Sequence, residues 1–338
     1  MGTTVRDIAR VARVSIGTVS RALKNQPGLS DATRRRVLLV AQQLGYDHSN
    51  LRRTRVRRMT LVGPRDYAHF ASVEFIEQLR AGVERAGRGM GVTSTVLAFD
   101  PTEDLIDQLR RHTPDALAVV GLVDHAHLQK LASLKRPMVL IDQWAPEFRC
   151  VNVDNERGAQ LAMQHLFERG LRRVAFIGAS PAHYGTAQRA LGFRRAYFEA
   201  GLPLDPALEV TIPAGVDARE GAAYAMETLL ALDTPPDAVF AFNDVAALSA
   251  LDVCIQRGLR VPDDVAFVGF DNDPVAHDAS LTTVVVDVER LADAAVEVLL
   301  SHDFEPRNVL EPVEFIVRAS TTGETLADEP LGAGVSDA

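Results

Sequence analysis

The sequence predicts an α/β protein in which a three-helix, helix-turn-helix head at the N-terminus precedes two doubly wound parallel-sheet lobes. Three observations carry that expectation. Two short helices with apolar faces abut between Val5 and Leu23. From Met59 onward, short β-branched runs alternate with helix-length segments, the pattern of βαβ units and a parallel sheet. The charge is segregated: residues 1–58 hold 13 Lys or Arg against 3 Asp or Glu, and the remainder holds 23 against 42 in a chain of net charge −9. An acidic body repels phosphates and leaves the basic end to meet them, the footprint of a nucleic-acid-binding head on a sensing domain.

The head is read from spacing. Val5, Ile8, Ala9 and Ala12 fall at i, i+3, i+4 and i+7, which gives a first helix one apolar face. Ser15 offers an N-cap oxygen to a second helix within Val14 to Leu23, with Thr18 three residues on. Val19, Ala22 and Leu23 then turn toward the first helix, leaving Ile16, Gly17, Ser20 and Arg21 outward, where a major groove could be read. A small surface helix pair with no DNA role would show the same spacing. Asn25 to Leu29 is turn-like, and Ser30 can cap a third helix whose core face is Val37, Val40, Ala41 and Leu44, ended by Gly45. Arg34, Arg35 and Arg36 in that helix suit a solvated face as well as phosphate contact.

The run VRDIARVARVSIGTVSRALKNQPGLSDATRRRVLLVAQQLGY, Val5 to Tyr46, closely resembles the DNA-binding head of the LacI/GalR family of bacterial transcriptional regulators. The resemblance implies base-reading positions at Ile16, Gly17 and Arg21, and supporting or phosphate-contacting ones at Thr18, Ser20 and Asn25, with Thr4 and Ser15 in the same DNA-facing set. Gly17 has no side chain to read with, so Arg21, bidentate to a guanine, and Ile16, against a thymine methyl, are expected to supply most direct readout. The following HSNLRRTRVRRM departs from the family, whose members carry a Pro-Asn start, then small and apolar residues in a hinge helix that inserts a Leu into the minor groove. Leu51 keeps the first apolar position, but Arg52 stands where a small residue is usual and Arg55 where the inserting Leu is usual. The expectation is a reader of narrow A·T-rich grooves in place of a kinking wedge, the alternative being an unstructured basic linker held by phosphates.

In the body, strands are expected at Thr60–Val62, Val92–Ala98, Ala116–Val120, Met138–Ile141, Val174–Ile177, Leu208–Ile212, Ala238–Phe242 and Val265–Gly269. Helices are expected at Val73–Arg88, Glu103–Arg111, His125–Leu134, Asn155–Gly170, Ala187–Ala200, Arg219–Leu230, Asp244–Arg257 and Asp287–Leu300. Ligands of such sheets sit beyond the carboxyl ends of the strands. The loops there carry Asp142 and Trp144, Asp154-Asn155, Gln188-Arg189, Asn243-Asp244 and Asp271-Asn272. Asp154, Asn155, Asn243 and Asp244 are also well placed as helix caps, and Trp144 as packing. Together with the rigid fork of Arg189 they suit a sugar-like, polyoxygenated molecule between the lobes.

The segments VDNERGAQLAMQHLFERGLRRVAFIG, RALGFRRA, DAVFAFNDVAALSAL, VAFVGFDNDP and LTTV resemble the effector domain of the same family, which shares the fold of periplasmic sugar-binding proteins. The resemblance implies that Arg189, Asn243 and Asp271 are central effector-binding residues. The family's Asn-Pro-Phe-Phe run reads Val73-Glu74-Phe75-Ile76 here, leaving Phe75 as an apolar wall to which Tyr67 and Phe70 add. The expected organisation is a head over 1–47, a basic linker over 48–58, a two-lobe periplasmic-binding-protein-like domain over 59–326 and a disordered tail over 327–338. Lobe 1 takes 59–153 and 287–309, and lobe 2 takes 154–286 and 310–326.

Two cysteines, Cys150 and Cys254, far apart and without a CxxC motif, suggest neither a disulfide framework nor a zinc site, and fit a reducing, cytoplasmic compartment. No apolar run reaches the roughly 18 residues of a membrane span, and no signal-peptide core follows Met1. An enzyme is the rival reading, yet there is no GxGxxG after a strand, no GxxxxGK[ST] loop and no HExxH, so no cofactor is expected; Asp271 as a general base has no partner near it in sequence. A secreted sugar-binding transport protein would lack the basic head. The leading expectation is a repressor, as a homodimer or tetramer, on a pseudo-palindromic duplex, released by a sugar-like effector. Replacing Arg55 by Ala should weaken duplex binding and erase the preference for A·T pairs at the operator centre; titration of duplexes that differ only in those central pairs measures both.

Overall fold

The structure, a computed structural model, describes residues 4–23, 28–44, 46, 56–65, 72–100, 102, 104–301, 303 and 305–323. The chain divides into two compact units, Met1–Val56 and Arg57–Ala338. Expectations for Asn25, Leu51, Arg52, Arg55, Tyr67 and Phe70, and for the tail over 327–338, lie outside the described residues.

The first unit holds α1 (Val5–Ala12), α2 (Ile16–Leu23) and α3 (Asp31–Gln43) around one small core of Ile8, Ala9, Ala12, Val19, Ala22, Val37, Val40, Ala41 and Tyr46. Thr4 caps α1 in a capping box: the Asp7 amide donates to Thr4 Oγ1 (3.3 Å), while the Thr4 amide and hydroxyl donate to Asp7 Oδ2 (3.0 and 2.6 Å). Arg13, at φ 52°, ends α1 in the left-handed region, where its N–H reaches Ala9 O and Arg10 O. A glycine would adopt that turn without strain; for Arg it costs about 1–2 kcal/mol. Ser30 caps α3 as its sequence position predicts, accepting from the Thr33 amide at 3.3 Å.

The second unit has two sheets. Sheet A contains β1 (Arg58–Pro64), β2 (Thr93–Phe99), β3 (Ala116–Val120), β4 (Met138–Ile141), β5 (Arg149–Val153) and β11 (Arg307–Glu311), in the order β11-β5-β4-β3-β1-β2, with every pairing parallel. Sheet B contains β6 (Val174–Gly178), β7 (Glu209–Thr211), β8 (Ala238–Ala241), β9 (Ala266–Asp271), β10 (Thr282–Val285) and β12 (Glu314–Ile316), in the order β12-β10-β9-β8-β6-β7, with only β12 antiparallel. The helices are α4 (Val73–Gly89), α5 (Leu105–Arg110), α6 (His125–Ser133), α7 (Asn155–Glu168), α8 (Tyr184–Glu199), α9 (Ala218–Leu230), α10 (Asp244–Gln256), α11 (Pro274–Asp278), α12 (Val288–Leu300) and α13 (Ala319–Thr322). Helices connect the parallel strands and pack on the sheets, which explains continuous apolar strands such as Ala116–Val120, buried throughout.

The chain passes between the lobes three times: after β5, after β10 and after β11. Because β11 runs to Glu311, the last passage falls at 312–313 and not after 309. The α8 helix starts at Tyr184, three residues ahead of the expected Ala187, because His183 caps it. No strand was expected at β5, β10, β11 or β12. In β5, Arg149 and Asn152 disguise a fully buried strand: Arg149 donates to Val298 O (2.6 Å), Asp303 O (3.0 Å) and Met138 O (3.1 Å), closing the end of α12.

A matching clamp opens each sheet. In lobe 1, Pro114-Asp115-Ala116 places Asp115 Oδ2 3.0 Å from the Arg57 and Arg58 amides; in lobe 2, Pro236-Asp237-Ala238 places Asp237 at 2.8 Å from the Arg172 amide and 3.1 Å from that of Arg173.

The α7 residue His165 bonds Thr321 Oγ1 (2.9 Å) and meets the Phe315 ring at 5.2 Å, and burial lowers its pKa to about 4. A histidine held neutral in the fold but protonated on unfolding at its ordinary 6.5 adds stability that is complete above that value and is lost as pH falls toward 4. In urea melts of the second unit between pH 7 and 4, the wild type should lose up to about 1.4 kcal/mol per pH unit from this group, and His165→Gln should lack that component.

Candidate functional site

In the head, the outward face of α2 assembles as its spacing predicts. Val19 and Ala22 are buried, Ile16 is 51% exposed, Gly17 and Arg21 are exposed and Ser20 is half-buried. A Cβ built on Gly17 would meet only Ser15 Oγ, at 3.8 Å, so nothing in the head requires glycine there. The Ser15 hydroxyl is committed to the helix start, accepting from the Thr18 amide at 3.0 Å and bonding Thr18 Oγ1 at 2.8 Å. Arg21 rests its Nε 3.4 Å from Gly17 O and is otherwise displayed on an exposed helix face, the placement direct base readout requires. Thr4 is likewise committed to its cap, while its neighbours on α1 bury Ile8 and Ala9.

In the second unit, the carboxyl ends of the strands of both lobes come together, where His183 of lobe 2 lies 2.9 Å from Asp142 of lobe 1. Arg189, on the inner face of α8, is 8% exposed there. Its Nε donates to Asn155 Oδ1 (2.8 Å), one amine to the Phe242 carbonyl and the other to Asp271 Oδ1 (3.3 Å), and its guanidinium carbon lies 3.6 Å from the centre of the Phe270 ring. One side chain thus gathers α7, the end of β8 and the end of β9. Asp271 is half-buried, with its side chain 11% exposed, and the loss of water around it pushes its carboxyl up to about 6; Arg189 opposes the shift, and the nearby Asp142 and Asp273 charges add to it. Asp271 and Asn272 both hold left-handed backbones, at φ 104° and 57°. Each is gripped by an arginine, since Arg318 donates to Asn272 Oδ1 at 2.9 Å and to Leu281 O at 2.9 Å. Strain of about 1–3 kcal/mol per residue persists where surroundings over-determine it.

Among the described residues, polar side-chain contacts join the lobes. His183 Nε2 lies 2.9 Å from Asp142 Oδ2, with both side chains buried. Asn308 of β11 donates to Tyr184 Oη at 3.0 Å, and Asn308 itself accepts from Asn152 Nδ2 at 2.7 Å, which also reaches Gln143 O at 3.1 Å. Gln143 in turn bonds the Val123 backbone through both ends of its amide, 2.5 Å from the carbonyl and 3.3 Å from the N–H. A continuous polar chain therefore runs from the loop after β3 to the start of α8.

The predicted cleft residues divide by role. Arg189, Asp271 and Asp142 are brought to one place. Asn243 lies at the same strand ends, but its Oδ1 caps α10 through the Ala246 amide (2.8 Å), which leaves the amide nitrogen as the group it can turn to a ligand. Trp144 is 51% exposed on the loop after β4, and Phe75 is buried in the first turn of α4. Asp154 caps α7 as its position suggests, whereas Asn155 gives its oxygen to Arg189. Asp244 is not a cap: it turns into the core, takes hydrogen bonds from Thr283 Oγ1 (2.5 Å) and the Asp273 amide (2.7 Å), and is pushed well above the ordinary carboxylate range by burial and by Asp271. Sequence reasoning missed His183 and Arg318. Histidine is an uncommon helix cap, and Arg318 lies 46 residues from Asn272 after an antiparallel strand without a strand signal.

Comparison with known proteins matches these two units to known families. The family described as bacterial regulatory proteins, lacI family, matches residues 4–49, and the periplasmic binding protein-like domain matches residues 163–321. The HTH-type transcriptional regulator DegA of Bacillus subtilis (strain 168) is 30% identical over 341 residues, covering 95% of this chain and 99% of DegA. The HTH-type transcriptional repressor CytR of Escherichia coli (strain K12) is 31% identical over 333 residues, covering 94% of this chain and 96% of CytR. Among solved structures, the complex of the transcriptional regulator CelR with cellobiose superposes with a TM-score of 0.71 at 27% identity, covering 94% of this chain and 99% of that one. With a helix-turn-helix head and two parallel-sheet lobes joined by polar contacts, the chain belongs to the LacI family of DNA-binding bacterial transcriptional regulators.

Proposed function

We propose that the protein is a repressor that leaves a pseudo-palindromic operator when a neutral, sugar-like effector binds between the lobes. The observation that carries the effector class is the pairing of the acidic groups: Asp271 faces Arg189 and Asp142 lies against His183, so each already has a polar partner within the protein. A neutral polyol can exchange hydroxyls for these hydrogen bonds, whereas a charged ligand would leave a buried partner uncompensated. The likeness to CelR, solved with cellobiose, agrees with a saccharide. Asp271, the sequence-level candidate for a general base, is occupied by the Arg189 fork, and the reading assigns it to binding.

On the DNA side, one recognition helix reads few base pairs, so a two-fold dimer supplies the second half-site. With Gly17 contributing no side chain, discrimination within each half-site rests on Ile16 and Arg21. Ligand shifts DNA affinity only by its differential affinity for the open and closed cleft.

Two experiments test this reading. In thermal-shift titrations with cellobiose and a panel of neutral monosaccharides, polyols and sugar acids, a neutral sugar should raise the melting temperature in a dose-dependent way, with stabilisation near 2.7 kcal/mol at about 100 times Kd. Asp271→Asn and Arg189→Ala should lose that increment while retaining duplex binding; response to sugar acids alone would overturn the neutral-ligand reading. In anisotropy titrations of duplexes tiling the region upstream of the protein's own gene, Arg21→Ala should cost about 1–3 kcal/mol on the bound duplex and relax its sequence preference. Binding of the wild type should also fall steeply with salt, and absence of binding to any duplex at low salt would overturn the repressor reading.

A further inference from the structure

We infer that His183 is a positioning residue that holds the interlobe cleft closed by gripping Asp142 of the opposite lobe. The inference rests on the reading of the cleft as an effector site. The tautomer follows from the helix cap. His183 Nδ1 accepts from the Thr186 amide at 3.4 Å, so in the neutral ring the proton sits on Nε2, the atom that lies 2.9 Å from Asp142 Oδ2. One imidazole thereby begins α8 in lobe 2 and spans to lobe 1.

Three features make this contact suited to set the closure. The side chains of His183 and Asp142 are 4% and 10% exposed, so their electrostatic contact acts out of water, where it is stronger. Gly185 supplies the clearance: a Cβ there would stand 3.1 Å from Asp142 Oδ1 and 3.3 Å from His183 Cε1, tight against both partners. The lobe 1 mount is stiff as well. Asp142 holds a left-handed backbone at φ 53° with its amide on Val151 O (3.2 Å), and the adjoining Gln143 is tied to Val123. Arg189 lies six residues along the same helix, so a ligand that moves Arg189 or Asp271 acts on the element that carries the latch.

Histidine's two nitrogens can be separated by mutation. Asparagine supplies a cap acceptor but falls short of Asp142, whereas glutamine reaches as far as Nε2 and can still donate there. Spin labels at Met90→Cys on lobe 1 and Phe198→Cys on lobe 2, both exposed positions, report the interlobe distance by double electron–electron resonance in full-length protein without ligand, diluted into unlabelled protein. The native Cys150 and Cys254 are buried and stay unlabelled. We expect His183→Asn to lose the short-distance population and His183→Gln to retain it. Asp142→Gly, which tolerates the left-handed backbone, should lose it too and supplies the test if His183→Asn does not fold. A distribution unchanged in both His183→Asn and Asp142→Gly overturns the inference; so does loss in both histidine variants with Asp142→Gly unchanged, since α8 itself would then set the spacing. The thermal shift of wild-type protein with sugars is read separately, so a failed latch and a failed effector reading are distinct results.

Discussion

A guanidinium taken out of water obliges its surroundings to answer every N–H it carries, and at Arg189 that obligation shapes lobe 2. Asn155 at the start of α7, the Phe242 carbonyl at the end of β8 and the Asp271 carboxylate at the end of β9 all turn to it, with Phe270 beneath. The same side chain therefore fixes the geometry of the strand ends and presents the cleft with a donor fork. Removing it would leave a buried carboxylate and two acceptors unanswered, which is why its loss is expected to lower basal stability along with ligand response.

The polar architecture beyond this arginine is distributed over both lobes. Gln143, Asn152, Asn308 and Tyr184 are modest hydrogen bonders individually, but they link one to the next, which ties the start of α8 to the loop after β3. The head achieves order by the opposite economy of means: a core of small aliphatic residues closed by Tyr46, three hydroxyl caps and a left-handed Arg13, with Ile16, Gly17 and Arg21 left outside that core. Placing recognition residues on a rigid face outside the core lets their identity change while the fold stays the same.

What was legible in the sequence follows from where physics leaves a periodic trace. The head's core face and caps were readable because helical spacing and Ser caps are local signals, and β3 and β4 were readable because buried parallel strands are unbroken apolar runs. Strands that carry buried polar groups were not: Asn152 and Arg149 in β5, and Thr282 and Thr283 in β10, look like loop residues until their partners, 9 to 156 residues away, are in place. The cleft was half legible. Arg189, Asp142 and Asp271 stand after strands, where ligand groups are sought, but His183 announces neither a cap nor a contact with the other lobe. Asp244 was assigned to capping by its position, and its burial against Thr283 is a tertiary fact.

The twin Pro-Asp-Ala clamps bear on mechanics. Asp237 pins the first amides of β6 in lobe 2, where the chain has only just left α7, while its counterpart Asp115 pins the amides of Arg57 and Arg58, the first residues of the second unit. A carboxylate holding two successive backbone N–H groups removes torsional play at that point. Residue 57 therefore behaves as a welded joint, and a rotation of lobe 1 carries the first two residues of the second unit with it as part of one rigid strand end.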